Sequence, residues 1–539
     1  MTMKRLLVAV FAGALALLNV PAQASGGRAM PQWMDSAVVY EVNVRQFSEA
    51  GSFAAVESQL PRLKTLGVDV LWLMPIYPIS VEGRIETLGS YYAVADYKGI
   101  NSEFGNAADL HSLINAAHEQ GFKVILDWVA NHTGLDNVWL NQHRDDGWYV
   151  LQDGQLVHPN GWNDVAQLNY DNSDMRAAMI DAMQYWVDTF EVDGFRCDYA
   201  TGVPQSFWEE ASAQLNSTKP LFMLAEDEMN SGFLDQAFDA NYGWTFKDKF
   251  NSLAGLGVGV GGLDALVSGR LNEYPVDSAP LLFITNHDEN SWNGTEYDRL
   301  GADVKVMTVL YFSLPGIPLV YNGQEVSFNR ALAFFTKDEI DWTGKANTVL
   351  KRMIELKHEN SALNVGTAPG TYQRIQPTAA NSSVLSFVRT KGDDRVLVIA
   401  NVSSLAQTVT LNVGAAAGSY REVMLNTLFN VPSKLTLTIP PNGYRVLSSK
   451  LEGGKTVAVS SMKVAKSAVT IKVGKSTRVG VTLSPAFPSN PTLTWKSANS
   501  KVATVSSSGL IVGKKRGSTT ITVQSSNKSV KKTIKVSVR

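Results

Sequence analysis

The sequence predicts an α/β fold: a (β/α)8 TIM barrel with a short inserted subdomain after strand 3, followed by two all-β sandwich domains. Three observations carry that prediction. Apolar, strand-like runs alternate with helix-period segments from Val38 to about residue 360, the pattern of a parallel sheet covered on both faces. From about Gly366 the pattern changes to short strands of period two. From Val457 to Arg539 there are fifteen Lys and Arg and no Asp or Glu, so with a net charge of −2 overall the remainder carries −17 and the end of the chain differs in kind.

The elements follow in order. Lys4 and Arg5, the apolar run Leu6 to Leu18 and the small-residue site Ala22-Gln23-Ala24 read as a secretory signal peptide over residues 1–24. The run is too short for a membrane anchor, so a secreted protein is expected, extracellular or periplasmic, with no transmembrane segment in its mature form. At 539 residues the chain is too long for one core, and 45% apolar with 18% charged residues excludes a disordered chain. Cys197, the only cysteine, has no disulfide partner, so packed cores must hold the fold.

The barrel is expected over residues 30–365. Its strands are read at Val38 to Val44, Val68 to Met74, Lys123 to Val129, Gly194 to Asp198, Leu221 to Ala225, a poorly marked sixth around Ala237 to Tyr242, Leu281 to Thr285, and Ile317 to Tyr321. Helices are read at Phe53 to Leu66, stopped by Gly67, then at Asn106 to Gln120, Met175 to Phe190, Pro204 to Leu215, Arg299 to Ser313 and Thr348 to Lys357. Eight right-handed repeats close on themselves. The insertion, about 133–170, is rich in Asp, Asn, Gly and Trp and sits where barrel enzymes work. An antiparallel sandwich is expected over 366–450, with strands such as Val384 to Arg389, Arg395 to Asn401, Thr408 to Val413 and Leu435 to Ile439. A linker at 451–456 contains Gly453-Gly454, and the last domain covers 457–539. Its Thr494-Trp495-Lys496-Ser497, Gly509 and Gly517 to Val523 resemble the bacterial immunoglobulin-like domain of group 2.

Reactive groups of a barrel enzyme belong at the C-terminal ends of its strands. There the sequence offers Asn131 and His132 after strand 3, Arg196 and Asp198 on strand 4, Glu226 after strand 5, and Asn286-His287-Asp288 after strand 7. Asp127 lies deeper and is set aside. Arg196 and Asp198 are two apart on a strand and share a face, so the guanidinium is expected to favour an ionised carboxylate. Each group alone has a structural explanation, but a helix cap or a satisfied histidine does not account for three carboxylates and two histidines at one rim.

These segments, Asp127-Trp-Val-Ala-Asn-His132, Gly194-Phe-Arg-Cys-Asp198, Ala225-Glu226, Phe283 to Asp288 and Pro315 to Glu325, resemble the α-amylase family of glycoside hydrolases over about Ala37 to Ser449. The resemblance implies Asp198 as nucleophile, Glu226 as general acid/base and Asp288 as the third carboxylate, in a retaining mechanism with nucleophile and acid about 5 to 5.5 Å apart. It implies Tyr92, His132, Arg196 and His287 as substrate-binding residues, and Asn131 as a candidate calcium ligand. Arg196 beside Asp198, and the apolar Met223 and Leu224 before Glu226, are expected to push the two pKa values apart. Two departures deplete the usual calcium site: Thr201-Gly202 replaces a Lys-His pair, and Gln167 stands where an Asp is common. No cofactor is therefore expected to be required.

The expected activity is hydrolysis of α-1,4-glucosidic bonds in starch-like glucans or maltooligosaccharides. Transglycosylation and disaccharide cleavage remain open within the family. A non-catalytic binding or adhesion protein would have lost a carboxylate, and all three are present. The basic terminal domain reads first as a spacer and second as an attachment to anionic cell-envelope polymers. Nucleic-acid binding is not expected, since beyond Trp495 the domain has no stacking platform.

Overall fold

In the computed structural model, residues 28–256, 259–485 and 487–539 are described, and the expected signal peptide lies outside them. Eight strands form one closed parallel barrel: β1 (Val39–Val42), β2 (Val70–Leu73), β3 (Lys123–Trp128), β4 (Gly194–Cys197), β5 (Phe222–Ala225), β6 (Ala240–Tyr242), β7 (Ala279–Leu282) and β8 (Ile317–Tyr321). Each pairs with its sequence neighbour, and β8 closes on β1 through Val39↔Leu319 and its neighbours. Nearly every strand position is buried, which is why the strands read as continuous apolar runs.

Alternation decides what faces inward. Val39, Val70, Trp72, Ile125, Phe222, Leu224, Tyr242, Leu281 and Leu319 fill the barrel interior, with Met30 and Met34 closing its foot. Two positions on from Val39 and Ile125, at the C-terminal ends of the same strands, stand Glu41 and Asp127, both fully buried. The register pairs Asp127 with Arg196 across β3 and β4. The apolar filling thus changes to charge at the top layer, directly below the rim.

Several elements differ from the expectation, for local reasons. The first helix is two, Phe53–Ser58 and Leu60–Leu66, because Pro61 lacks the N–H needed to continue the first. The helix expected from Arg299 is interrupted at Gly301, whose φ of 52° suits glycine, so its halves are Glu296–Leu300 and Val304–Ser313. β7 ends at Leu282 rather than Thr285, and Asn286 instead caps a short helix, His287–Trp292, accepting the Glu289 N–H at 2.8 Å. Two helices, Trp244–Leu256 and Gly261–Glu273, occupy a stretch with no expected element.

In the insertion, His132–Gly134 pairs antiparallel with Val165–Gln167, and Leu151–Gln152 with Gln155–Leu156. Tyr97 ties it to the barrel, its hydroxyl donating to the carbonyls of Val129 and His132.

The sandwich domain has a six-stranded sheet in the order Thr371–Arg374, Val384–Lys391, Asp394–Asn401, Tyr444–Ser448, Gly418–Glu422, Thr427–Val431, covered by the pair Gln407–Asn412 and Lys434–Ile439. Val409, Leu411, Leu435, Leu437 and Ile439 alternate inward onto Leu397 and Ile399. The terminal domain is again all β, its core drawn from Ile471, Ile511, Ile521, Ile534 and Val536. The linker between them is not loose: Lys455 bonds along the sandwich edge through Asn426 and Leu428, and Phe487 of the terminal domain lies 3.4 Å beneath the Arg445 guanidinium.

Candidate active site

One buried guanidinium organises the rim. Arg196 Nη1 donates to Asp127 Oδ1 at 2.8 Å and to Asp198 Oδ1 at 3.1 Å, while Nε donates to the Tyr242 hydroxyl at 3.0 Å. Nη2 lies 2.9 Å from Glu226 Oε1, an ion contact without hydrogen-bond alignment. Trp72, Tyr92 and Tyr242 surround it at 5.2 to 5.7 Å. Arg196 is fully buried beneath the carboxylates, whereas a substrate-binding residue was expected to be open to the cleft.

The carboxylates are graded in exposure. Asp127 is sealed, Asp198 and Glu226 have 13% and 16% of their side chains exposed, and Asp288 has 32%. Asp198 and Glu226 shift in the same direction, upward, where opposite shifts were expected. Burial raises both Asp198 and Glu226; for Asp198 the charge of Glu226 adds to the rise, and Arg196 offsets part of it in both. Arg196 and the charged His287 face this cluster of carboxylates, and the titrations of Asp198 and Glu226 are linked through their mutual repulsion. Glu226 is additionally fixed by the Tyr199 N–H, 2.8 Å from Oε2. The raised Glu226 agrees with its apolar surroundings; Asp198 departs from the expectation because burial outweighs the Arg196 charge beside it.

His287 joins the first, seventh and second repeats. Its Nδ1 bonds to Glu41, its Nε2 lies 2.8 Å from the Tyr92 hydroxyl and 3.3 Å from Asp288 Oδ2. Burial pushes its pKa down, but Asp288 and Glu41 outweigh burial and raise it to about 9. A raised histidine pKa stabilises the folded protein fully below its unfolded value near 6.5, and that contribution disappears as pH rises through about 9. Chemical unfolding of wild type and His287→Asn should therefore differ by on the order of 3 kcal/mol below pH 6.5, with the gap closing by pH 9 to 10. A gap independent of pH would contradict the charged assignment.

His132 behaves oppositely: burial lowers it to about 4, so it is neutral. Its Nδ1 is 3.2 Å from the Asn131 amide, and Trp162 packs edge-on at 5.5 Å. Tyr92 is half-buried; its ring stacks on His287 at 5.7 Å and on Phe334 at 6.3 Å, and its hydroxyl also donates to Asp127.

Residues not singled out in the sequence complete the site. Asp127, set aside as too deep, is a principal partner of Arg196, and Glu41 holds His287. A charge inside β1, buried on both faces, was the available signal for Glu41. Trp162, 40% exposed beside His132 and Tyr199, and Trp292, 54% exposed one turn after Asp288 and packed on Phe334 and Phe335, offer open aromatic faces next to the carboxylates.

The residues near Asn131 do not fit a hard cation. The Gln167 amide donates to Asn131 Oδ1 at 2.9 Å and to the Asn131 carbonyl at 3.1 Å, satisfying the oxygens an ion would need. A Cβ on Gly202 would lie 2.5 Å from Asn131 Oδ1. Among the described residues no group of three His, Cys, Asp or Glu is placed to hold a metal.

Comparison with known proteins fits this geometry. Residues 41–232 match the α-amylase catalytic domain, 377–446 the maltogenic amylase C-terminal domain and 458–536 the bacterial Ig-like domain of group 2. The chain is 28% identical over 421 residues to Alpha-amylase MalA of Haloarcula japonica, covering 72% of this chain and 60% of that protein. A cyclomaltodextrin glucanotransferase from Bacillus sp. is 28% identical over 452 residues, covering 73% and 60%. The crystal structure of an α-amylase from Lactobacillus plantarum superposes with a TM-score of 0.68 at 29% identity, covering 77% of this chain and 99% of that one.

Proposed function

Because the chain belongs to the α-amylase family of glycoside hydrolases, we propose that it is an exported enzyme that hydrolyses α-1,4-glucosidic bonds of starch-like glucans or maltooligosaccharides with retention of configuration. The observation that carries this reading is the single guanidinium of Arg196 lying against both Asp198 and Glu226. Two carboxylates at one cation are close enough for attack and protonation on opposite sides of one bond.

In this reading Asp198 attacks the anomeric carbon while Glu226 gives its proton to the departing glycosidic oxygen. A covalent glycosyl ester forms at Asp198, and the aglycone leaves carrying that proton. Glu226, now ionised, takes a proton from water, which opens the ester and restores both groups. Burial raises the Glu226 pKa, which favours the protonated form that the departing oxygen needs. Asp288 and the charged His287 hold hydroxyls of the same sugar, Tyr92 offers its ring face, and His132 stays neutral so that its Nε2 can bond a hydroxyl. The pH dependence of kcat/KM should be a bell whose limbs belong to the pair.

Proton NMR of fresh digests of soluble starch and maltotriose tests the proposal: the α-anomer should appear first. Initial release of the β-anomer, or no turnover of any α-glucan, would overturn it. Adding acceptor sugars separates hydrolysis from transglycosylation, the reading favoured by the similarity to a glucanotransferase.

We also propose that no calcium is required, on the strength of the Gln167 amide. Turnover should stay within about twofold after exhaustive chelation, and a Gln167→Asp variant should lose stability rather than gain a calcium requirement. The terminal domain is proposed to hold the enzyme to anionic envelope polymers: its fifteen cations have no acid within their own domain, and none forms an ion pair among the described residues. Binding to cell envelopes should weaken steeply between about 50 and 500 mM salt and vanish on truncation before Val457.

A further inference from the structure

At the opposite end of the barrel from the carboxylates lies a cavity of about 380 Å3 between the foot of the barrel and the sandwich domain. Tyr274, Ala279 and Pro315, at the N-terminal approaches to β7 and β8, form one side, and Arg389, on the sandwich strand Val384–Lys391, forms another. Phe246, Val267, Pro275 and Val276 make its walls apolar, and Leu271, 48% exposed, stands at its mouth.

Its polar groups are not balanced. Arg389 is fully buried, and its donors reach only carbonyls, those of Thr371, Ser313, Asn364 and Gly370. Among the described residues no carboxylate pairs with it, and burial lowers its pKa to about 9. Buried charge without an opposite charge is costly, and carbonyl dipoles offset only part of that cost. The Tyr274 hydroxyl is buried beside the Asn241 side chain. Nε of Arg270 is buried without a partner, its other nitrogens taken by Glu228 and Glu273.

We infer that this cavity is a binding site for a small amphipathic monoanion, a molecule with an apolar body and one negatively charged head. The body would occupy the proline, valine and phenylalanine walls, and the head would supply the charge that Arg389 lacks and accept from the Tyr274 hydroxyl. A glucan is a poor occupant, because a sugar needs many hydrogen bonds and the walls offer few. The inference is independent of the reaction at the rim.

Titration calorimetry of the full chain with octanoate, and with 1-octanol as the uncharged control, tests it. Octanoate should bind saturably, and the alcohol at least tenfold more weakly. Val276→Trp, which fills the cavity, should abolish octanoate binding with turnover of starch unchanged. Tyr274→Phe, which keeps the shape, should weaken it about tenfold. Absence of saturable octanoate binding, equal binding of the alcohol, or undiminished binding in both variants would overturn the inference.

Discussion

Asp198→Asn is expected to lower turnover of soluble starch by about four orders of magnitude or more while the melting temperature moves by no more than a few degrees. The amide nearly preserves the shape of the side chain and can still accept from Arg196 Nη1, so the fold has little reason to change. What disappears is the atom that bonds to the sugar. A second effect follows from the charge of Asp198. The neutral amide would no longer repel charge on Glu226, so Glu226 would ionise at lower pH and the remaining acid would be spent sooner. Residual turnover therefore should be displaced toward acid relative to wild type. Retention of a hundredth of the wild-type rate, in a sample free of contaminating enzyme, would remove Asp198 from the proposed chemistry.

The second large effect is on stability. Arg196→Met leaves Asp127, Asp198 and Glu226 around a neutral side chain, and removing one partner of a buried charge cluster costs about 3 to 5 kcal/mol. The sign with pH is definite. Without the cation the folded-state pKa values of these carboxylates rise further above their unfolded values, so folding takes up protons and the variant gains stability as pH falls. The deficit relative to wild type should thus be larger at pH 8 than at pH 5, measured by denaturant unfolding. Adding Asp127→Asn should recover part of it by neutralising one orphaned carboxylate. A deficit that stays constant with pH would mean that Arg196 acts through packing on Trp72 and Tyr242 rather than through charge.

The barrel could be read from the chain because its strands are buried on both faces, which leaves long apolar runs that no surface element shows. β8 was placed to the residue, Ile317–Tyr321, since proline and glycine bound it on one side and Asn322-Gly323 on the other. The apolar run predicts β7 at Leu281 to Thr285, starting two residues and ending three residues late, because Phe283 and Ile284 continue the run after the ladder has ended. That shift matters for the site: Asn286, His287 and Asp288 belong to a cap and the first turn of a helix, not to a strand end. The helices Trp244–Leu256 and Gly261–Glu273 escaped notice because their glycines and mixed polarity blur the helical period. At the rim, spacing along one strand brought Arg196 and Asp198 together correctly. Contacts between strands, such as Arg196 to Glu226 or Glu41 to His287, depend on register around a closed sheet and have no signature in a single segment. The aromatic faces of Trp162 and Trp292 were equally hidden, since exposure of a tryptophan is decided by what the loops leave uncovered.

The bonding of Lys455 along the sandwich edge and the seating of Phe487 under Arg445 make the junction before the terminal domain a splint rather than a tether. A load taken up by that domain is passed directly to the sandwich and on to the catalytic barrel. An enzyme moored through its last eighty residues would accordingly keep one heading relative to its support, with its cleft aimed at a constant angle instead of sweeping through solution.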